Sequence, residues 1–553
     1  MTTWTTRAAA AVALGIACSS LAGATPSIAA QSAAAPVSVT MVVALTAPPR
    51  TSGLIEAELL ANYTSEFGLL TKKLNEIVDR PVAIGIDPSI IASIRILGSE
   101  APESALAWLD RLAGASNETF PLSWADSDLT LPLHAGSPGL LEPESFDFAI
   151  DPALFASVAD ESSTDHSASP TPTTSPDVDE LPPLPTAESL LAWGYSVPAL
   201  AWPALNSVAS TDLTTLGTRY DHVLLSSTNV GSTQARQGHA TVNGVSSLIA
   251  DDRLSSLFGL TVAASSGDEW SAAMSQLATS VGAVPSTVDA PASILIAVDR
   301  SVTVNDIDMG LTISTLANSA NVRPLLLTQL LETEDAAAPL SDADRDEEIV
   351  ATVKALLLDE SRDRQFSLIA AEPERITAAR RLDLLATLSN ASLATASGWA
   401  AGAEAFSKAS AELRGKVKIV KSSSITLWAD RASLPVTVSN ELDQPVTVFV
   451  TVRPRTPLLK VENSRVELRI ESESQRKASV PVQSLSNGTV QLDVSIVGEL
   501  GNRIGDKTRV SITVQAGWET PATLGVAIVV VLIFVAGIVR TVIRRRRAPA
   551  AEA

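Results

Sequence analysis

Cysteine and histidine are scarce in this chain of 553 residues, which has one cysteine, Cys18, and four histidines. A single cysteine cannot form a disulfide within the chain, so the fold must depend on the packing of its cores. The four histidines form no HExxH motif, and none belongs to a cysteine–histidine cluster. We therefore predict no metal site and no bound cofactor.

Motifs for nucleotide binding and serine hydrolysis are also missing. The sequence contains no Walker loop, no GxGxxG at the start of a helix and no GxSxG elbow. Lys and Arg number 40 against 61 Asp and Glu, a formal net charge of −21. Such a surface repels nucleic acid, so we exclude it as a partner. The acidity either attracts basic partners or simply keeps the protein soluble, and the second interpretation is favoured.

A long segment without charged residues lies near the C-terminus. Residues 521–539 contain nineteen successive uncharged, mostly apolar side chains, and Arg540 and Arg544–Arg547 follow. Nineteen helical residues span roughly the 30 Å hydrocarbon core of a bilayer. Because the arginines favour the cytoplasmic side, we predict a single-pass type I protein of the cell membrane. Residues 540–553 form its cytoplasmic tail, and everything before the helix lies outside.

The N-terminus supports the same orientation. Arg7 precedes an alanine-rich apolar run, and small residues near 27–30 resemble a signal peptidase site. We predict that residues 1–30 are a secretory signal peptide. Cys18 leaves a second possibility open, namely lipidation, because residues 14–18 loosely match a lipobox.

Short apolar runs alternate with helical patterns between residues 37 and 335. The predicted strands include 39–45, 82–86, 223–226, 260–264 and 294–298. Strands that alternate with helices indicate a parallel sheet. At this length we predict an α/β barrel-like domain, an incomplete TIM-type barrel. Residues 160–185 are acidic and rich in proline, and they should form a disordered insertion.

The period of the pattern changes twice towards the C-terminus. Residues 340–416 have helical periodicity, and residues 417–516 alternate apolar and polar side chains with period two. Short strands at this density indicate an immunoglobulin-like β-sandwich without the usual cysteine pair. Directly before a membrane helix, its simplest role is that of a stalk.

Carboxylates are the only plausible catalytic groups. Asp126 and Asp128 follow Trp124, and two acids beside an aromatic ring are typical of glycoside hydrolysis, with the ring stacking on a sugar. Further candidates for ligand binding are Asp87, Trp202, Asp251 and Asp252. Asp87, Asp126 and Asp128 also have a simpler interpretation, because aspartate commonly caps a helix or turn. Trp202, which precedes a proline, is equally suited to core packing.

Several short stretches of the chain carry a family resemblance, namely residues 86–88 (IDP), 120–129 (FPLSWADSDL), 200–203 (LAWP), 248–255 (LIADDRLS), 424–427 (SITL) and 434–448 (LPVTVSNELDQPVTV). They resemble an uncharacterised actinobacterial family of secreted, C-terminally membrane-anchored envelope proteins, often encoded beside the lipid II flippase. The resemblance implies a role in cell-wall assembly. It carries over no catalytic residue, since the family has no established activity.

The α/β part also resembles, more distantly, the barrels of carbohydrate deacetylases and family 57-type glycosidases. Deacetylases of that type hold a metal with one Asp and two His, and the scattered histidines do not supply this pair. Two hypotheses follow. The first is a non-catalytic envelope protein that binds a glycan or a protein partner, and the second is a carboxylate-dependent glycan hydrolase.

Overall fold

A computed structural model describes residues 35–155, 184–230, 237–288, 290–298, 300, 309–333, 336–420, 425–427, 429, 431–514 and 519–546. The predicted signal peptide with Cys18, most of the predicted insertion at 160–185 and the end of the basic tail lie outside these residues.

The first part of the chain forms one mainly parallel sheet. Its strands are β1 (Val37–Leu45), β2 (Ala83–Ile86), β3 (Thr119–Pro121), β4 (Leu200–Ala201), β5 (His222–Ser226), β6 (His239–Val242), β7 (Val245–Ala250), β8 (Ser293–Ala297), β9 (Val322–Pro324) and β10 (Ala336–Ala338). All nine residues of β1 are buried, as expected for a strand covered on both faces. The predicted strands at 39–45, 82–86, 223–226 and 294–298 correspond to β1, β2, β5 and β8.

The parallel sheet curls back on itself. Its successive strands lie in the order β4–β5–β7–β8–β1–β2–β3, all parallel. The two outer strands approach each other, because the N–H groups of Ser196 and Val197 donate to the Thr119 carbonyl at 2.8 and 3.1 Å. The carboxyl ends of seven strands therefore face the same side.

Helices follow the strands. They are α1 (Ala57–Thr64), α2 (Leu69–Ile77), α3 (Pro88–Ile96), α4 (Glu103–Ala113), α5 (Leu131–His134), α6 (Ala187–Leu191), α7 (Ser210–Gly217), α8 (Asp252–Val262), α9 (Gly267–Gly282), α10 (Met309–Ala317) and α11 (Leu327–Leu331). The strand predicted at 260–264 is wrong, because this apolar run is the end of α8 and the turn that follows it. Its side chains Thr261 and Val262 are buried as part of a helix face.

A helical segment, which we define as residues 346–416, covers the carboxyl edge of the parallel sheet. It contains α12 (Glu347–Ser367), α13 (Pro373–Thr387), α14 (Asn390–Leu393) and α15 (Ala396–Gly415). The Asp128 N–H donates to the Leu388 carbonyl at 2.9 Å, and the Gly53 N–H donates to Asp383 Oδ1 at 2.9 Å. The helical segment thus contacts the loops that follow β1 and β3.

Two largely antiparallel sheets, here called the two-sheet unit, come next. Their strands are β11 (Val417–Ile419), β12 (Ile425–Leu427), β13 (Arg431–Asn440), β14 (Val446–Pro454), β15 (Leu459–Val461), β16 (Arg465–Ile470), β17 (Ser474–Ser484), β18 (Gly488–Val497) and β19 (Arg503–Val514). Alternate side chains along these strands form one shared apolar core, which also takes in Phe366 and Ile369 of the helical segment.

The two-sheet unit has two distinct ends. At one end, the Thr447 N–H donates to the Ile369 carbonyl at 2.7 Å, and Asn502 Nδ2 donates to the Gln365 carbonyl at 3.0 Å. At the other end β19 finishes at Val514, and α16 (Glu519–Arg546) follows. Within the described part of the chain, α16 is the one helix long and apolar enough to cross a membrane. Its span Thr523–Arg546 has a mean hydropathy of 2.9, and none of it is buried.

Candidate functional site

Polar side chains gather at the carboxyl edge of the parallel sheet. Asp87 directly follows β2, Asp126 lies five residues after β3, Trp202 directly follows β4, and Arg300 follows β8. Each of the four side chains is almost fully buried. The carboxyl ends of parallel strands are where α/β proteins usually build their sites, so this cluster is the candidate site.

Asp87 is held by backbone donors. It is the N-cap of α3, with Pro88 at the first helical position, and its Oδ1 accepts from the Ser89 and Ala125 N–H groups, both at 2.9 Å. The predicted capping role is therefore confirmed. Burial raises the pKa of Asp87, and the nearby Arg50 guanidinium opposes this rise.

Asp126 connects the strand loops to the helical segment. Its Oδ1 lies 2.8 Å from Arg300 Nε, and Asn390 Nδ2 donates to the same oxygen at 3.2 Å and to the Asp126 carbonyl at 2.8 Å. Burial raises the pKa of Asp126 to about 6. Arg300 opposes this rise, and the negative charge of Asp87 adds to it. A carboxyl group with such a pKa can exchange a proton near neutral pH.

The backbone at this point is strained. Ala125 and Asp126 have φ values of 55° and 50°, in the left-handed region that residues with a Cβ atom rarely occupy. Hydrogen bonds from the Ala125 N–H to Asp87 and from Asn390 to the Asp126 carbonyl hold the turn. Strain of this kind persists where the surrounding contacts determine the conformation, and it is frequent at functional sites.

Trp202 contacts the guanidinium group of Arg300. The Arg300 guanidinium lies 4.3 Å from the centre of the Trp202 ring, and its Nη2 and Nη1 atoms donate to the carbonyls of Trp202 and Pro203 at 2.5 and 3.2 Å. Phe120 packs against the other part of the ring, with centroids 5.9 Å apart. The tryptophan thus orients the cation that pairs with Asp126.

Several buried polar atoms near this edge have no hydrogen-bond partner among the described residues. They are Asp87 Oδ2, Asp126 Oδ2, Trp202 Nε1, Tyr195 Oη and Arg50 Nε. Buried polar groups are normally paired with protein or ordered water, so this concentration of unpaired atoms distinguishes the candidate site from an ordinary core. Two carboxylates with a free oxygen each, next to a paired arginine, can accept hydrogen bonds from hydroxyl groups or exchange a proton.

Asp128 and Trp124 are turned away from this cluster. Asp128 Oδ1 accepts from the Thr130 and Leu131 N–H groups, both at 2.9 Å, and Oδ2 pairs with Arg345. Trp124 is buried, with its ring 5.1 Å from that of Phe146, and its Nε1 donates to the Gly53 carbonyl at 3.2 Å. The sequence analysis grouped Asp126 with Asp128 and Trp124, whereas the structure gives these two residues other partners.

Asp251 and Asp252 lie at the start of α8. Asp251 Oδ1 accepts from the Leu254 N–H at 2.9 Å as the N-cap of that helix. Asp252 Oδ2 accepts from Ser226 Oγ at 2.5 Å and from the Thr228 N–H at 2.9 Å. Both carboxylates are thus engaged in local contacts near the ends of β5 and β7, away from the partners of Asp126.

Histidines meet at one point that the sequence did not indicate. His222 Nδ1 and His239 Nε2 both lie within hydrogen-bonding distance of Ser246 Oγ, at 2.9 and 3.1 Å. Burial lowers the pKa of His222. The described residues contain no group of three or more His, Cys, Asp or Glu side chains arranged to hold a metal ion.

Three residues of the site escaped the sequence reasoning. Arg300 and Asn390 contact Asp126 from 174 and 264 positions away, and nothing in their local sequence indicates this. Lys73 of α2 is half-buried as a residue, yet burial of its ammonium lowers its pKa to about 8, an effect that Asp126 opposes and Arg300 reinforces. The sequence contained one signal for Lys73, namely that this charged residue lies next to the buried apolar face of α2.

Comparisons with solved structures give only low similarity. The α-amylase AmyC of Thermotoga maritima matches at 10% identity and a TM-score of 0.40, over 69% of this chain and 93% of its own. Escherichia coli α-2-macroglobulin matches at 16% identity and a TM-score of 0.15, over 18% of this chain. An MSP family member of C. elegans matches at 8% identity and the same TM-score, over 18% of this chain and 98% of its own.

These scores are too low to support any argument on fold or function, and the chain spans only 7% of the length of the α-2-macroglobulin. No curated protein matches the chain. A family model, in contrast, matches residues 24–551, which is nearly the whole sequence. The chain therefore belongs to the DUF6049 family, a family of unknown function.

Proposed function

We propose that this protein is a single-pass, membrane-anchored protein of the cell envelope that holds a barrel-like α/β domain outside the membrane. The arginines after the apolar helix favour the cytoplasmic side, and a signal peptide at residues 1–30 would export the rest. The domain binds a glycan or a protein partner in cell-wall assembly without catalysing a reaction. The proposed role in cell-wall assembly draws on the resemblance to actinobacterial envelope proteins.

The observation that carries the proposal is the order of contacts along the two-sheet unit. The helical segment contacts one end, through Ile369 and Gln365, and α16 follows the other end. Five peptide steps separate Val514 from Glu519, so the gap is at most about 17 Å. An immunoglobulin-like sandwich in this position acts as a stalk that lifts the α/β domain above the bilayer.

Burial of the candidate carboxylates supports a non-catalytic role. The side chains of Asp87 and Asp126 are 1% and 2% exposed, and Asn390 of the helical segment donates to Asp126. A catalytic acid must reach the atom to which it gives its proton. In this arrangement the helical segment would have to move before any substrate touched Asp126.

Cysteine labelling in intact cells tests the orientation. With Cys18 replaced by serine, one cysteine is placed either at Leu500, which is 82% exposed, or at Ala550 in the tail. We expect a membrane-impermeant maleimide to label L500C in intact cells and A550C only after permeabilisation. Truncation after Val514 should release the protein from the membrane fraction. Labelling of A550C in intact cells would reject the proposed orientation.

A carboxylate-dependent glycan hydrolase is the second candidate, favoured by the pKa of Asp126, raised to about 6 by burial. A protonated carboxyl group near neutral pH is what a general acid requires, and Asp87 is the neighbouring carboxylate. The test is release of reducing ends from purified cell-wall glycan by the full chain. Turnover that disappears in both D126N and D87N would support this candidate, and turnover unchanged in both would dismiss it.

A further inference from the structure

A second concave site lies at the opposite, amino-terminal edge of the parallel sheet. A cavity of about 530 Å³ opens there between the end of α4, the first residue of β3 and the segment 192–194 after α6. Its volume falls in the range that holds small ligands, and it is widely open to solvent and not enclosed. None of the carboxylates at the candidate site lines it.

Trp193 supplies the aromatic side of this cavity. The residue is half-buried, with part of its ring packed against the main apolar core. Its neighbours in the cavity wall are small, namely Ala192, Gly194 and Ala115. A Cβ atom added at Gly194 would meet no atom within 4 Å outside its two neighbours in the chain, so this part of the cavity wall is not crowded by other segments. An aromatic face with open space beside it accommodates the apolar C–H face of a sugar ring.

Arg95 supplies the positive side. Its Nη1 atom donates to the carbonyls of Ser189, Leu190 and Ala192 at 3.1, 2.9 and 2.7 Å, which fixes the side chain at the end of α6. Its Nε and Nη2 atoms donate to none of the described residues, and no described carboxylate forms an ion pair with Arg95. These two nitrogens share one edge of the guanidinium, and they match the two oxygens of a carboxylate.

We propose that this cavity binds a sugar that carries a carboxylate, with its ring on Trp193 and its acidic group on Arg95. No acidic side chain lines this cavity, so Arg95 gives its wall a positive charge within a chain of net charge −21. A neutral sugar would leave the Nε–Nη2 edge unpaired, and a simple carboxylic acid would leave the tryptophan face empty. This ligand class specifies the proposed glycan-binding role and rests on it. The cavity itself does not depend on how the protein is oriented in the membrane.

A pair of probes tests the recognition of charge. The detergent-solubilised full chain is titrated calorimetrically with N-acetylmuramic acid and with N-acetylglucosamine, which lacks the carboxylate-bearing side group. Titration up to about 10 mM covers dissociation constants in the millimolar range. We expect the acidic sugar to bind at least about tenfold more tightly, since a charge-assisted pair of hydrogen bonds is lost with the neutral one. Equal binding of the two sugars, or no binding of either, would overturn the proposal.

A substitution that fills the cavity tests whether the sugar binds there. Gly194→Leu adds a large side chain to the cavity wall next to Trp193, and its backbone needs no left-handed conformation. Gly139→Leu is the matched control, because a Cβ there also meets no atom within 4 Å and Gly139 does not line the cavity. We expect G194L to weaken binding of the acidic sugar at least about tenfold and G139L to change it less than about twofold.

Circular dichroism establishes that both variants remain folded, and the comparison of the two sugars requires no variant at all. Wild-type affinity in G194L would place the sugar elsewhere and reject the cavity. The labelling assay for membrane orientation uses other residues, so its failure and the failure of sugar binding are separate results.

Discussion

The backbone N–H of Gly53 donates a hydrogen bond of 2.9 Å to Asp383 Oδ1, and this bond joins the loop after β1 to helix α13. The carbonyl of Gly53 accepts from Trp124 Nε1 at 3.2 Å, so the same residue also contacts the loop after β3. A Cβ atom at Gly53 would lie 2.2 Å from the Leu382 Cβ. The helical segment can therefore approach the parallel sheet this closely only because residue 53 has no side chain.

Gly53→Ala should loosen this contact. The added methyl group meets the Leu382 Cβ and the backbone of α13, which are not flexible chain ends, so α13 must shift. We expect a loss of roughly 1–3 kcal/mol in the free energy of unfolding, as for other overpacked sites. Limited proteolysis should also cut the helical segment faster. Gly139→Ala is the control, since nothing lies within 4 Å of its Cβ position, and equal stability of the two variants would contradict the prediction.

Part of the sheet pattern could be predicted from the sequence. Strands β1, β2 and β8 are short apolar runs bounded by turn residues, and the strands of the two-sheet unit alternate with period two. The prediction at 260–264 was wrong because a short apolar run has the same composition in a buried helix as in a buried strand. Periodicity across the preceding ten residues distinguishes the two, and there it is helical.

The candidate site could be predicted only in part. Asp87 was identifiable because it directly follows the predicted strand at 82–86, whereas no strand was predicted before Trp202, which was proposed only as an aromatic binding residue. Asp126 and Asp128 looked equivalent in the sequence, but the left-handed backbone at Ala125 and Asp126 sends the two side chains to different partners. Residue type gives little signal for this conformation, because aspartate adopts it more often than most residues that carry a Cβ atom but still rarely. The assignment of a role to these residues stays a prediction.

Arg380 lies at the centre of a buried ionic network in the helical segment. Its Nε atom lies 3.1 Å from Asp363 Oδ2, its Nη2 atom donates to Ser410 Oγ at 2.7 Å, and the side chain is 9% exposed. Arg380→Ala would leave the buried Asp363 without one of its cationic partners. We expect a loss of roughly 3–5 kcal/mol in the free energy of unfolding, measured by chemical denaturation.

An exposed pair provides the control for this experiment. Arg469 and Glu471 lie 3.4 Å apart, with side chains that are 64% and 66% exposed. Arg469→Ala should change the free energy of unfolding by less than about 1 kcal/mol, because water screens such pairs. If R380A were as mild as R469A, the network would contribute specificity of packing but no stability.

Asp126 should make the stability of the fold depend on pH. Burial raises its pKa from 3.8 to about 6, so the folded state binds the proton more tightly than the unfolded state. The stabilising contribution is complete below about pH 4 and is lost as the pH rises through about 6. A shift of about two pKa units corresponds to roughly 3 kcal/mol.

Asp126→Asn imitates the protonated form at every pH. The free energy of unfolding of D126N, relative to the natural chain, should therefore rise by roughly 3 kcal/mol between pH 4 and pH 7. Asp443→Asn, at an exposed position, is the control and should show no such rise. If the free energy of unfolding of D126N relative to the natural chain instead fell between pH 4 and pH 7, Arg300 would stabilise the carboxylate more than burial penalises it. Arg300 lies 2.8 Å from Asp126. In that case Asp126 would be ionised throughout the neutral range, and the pair would serve as an ion pair and not as a proton donor.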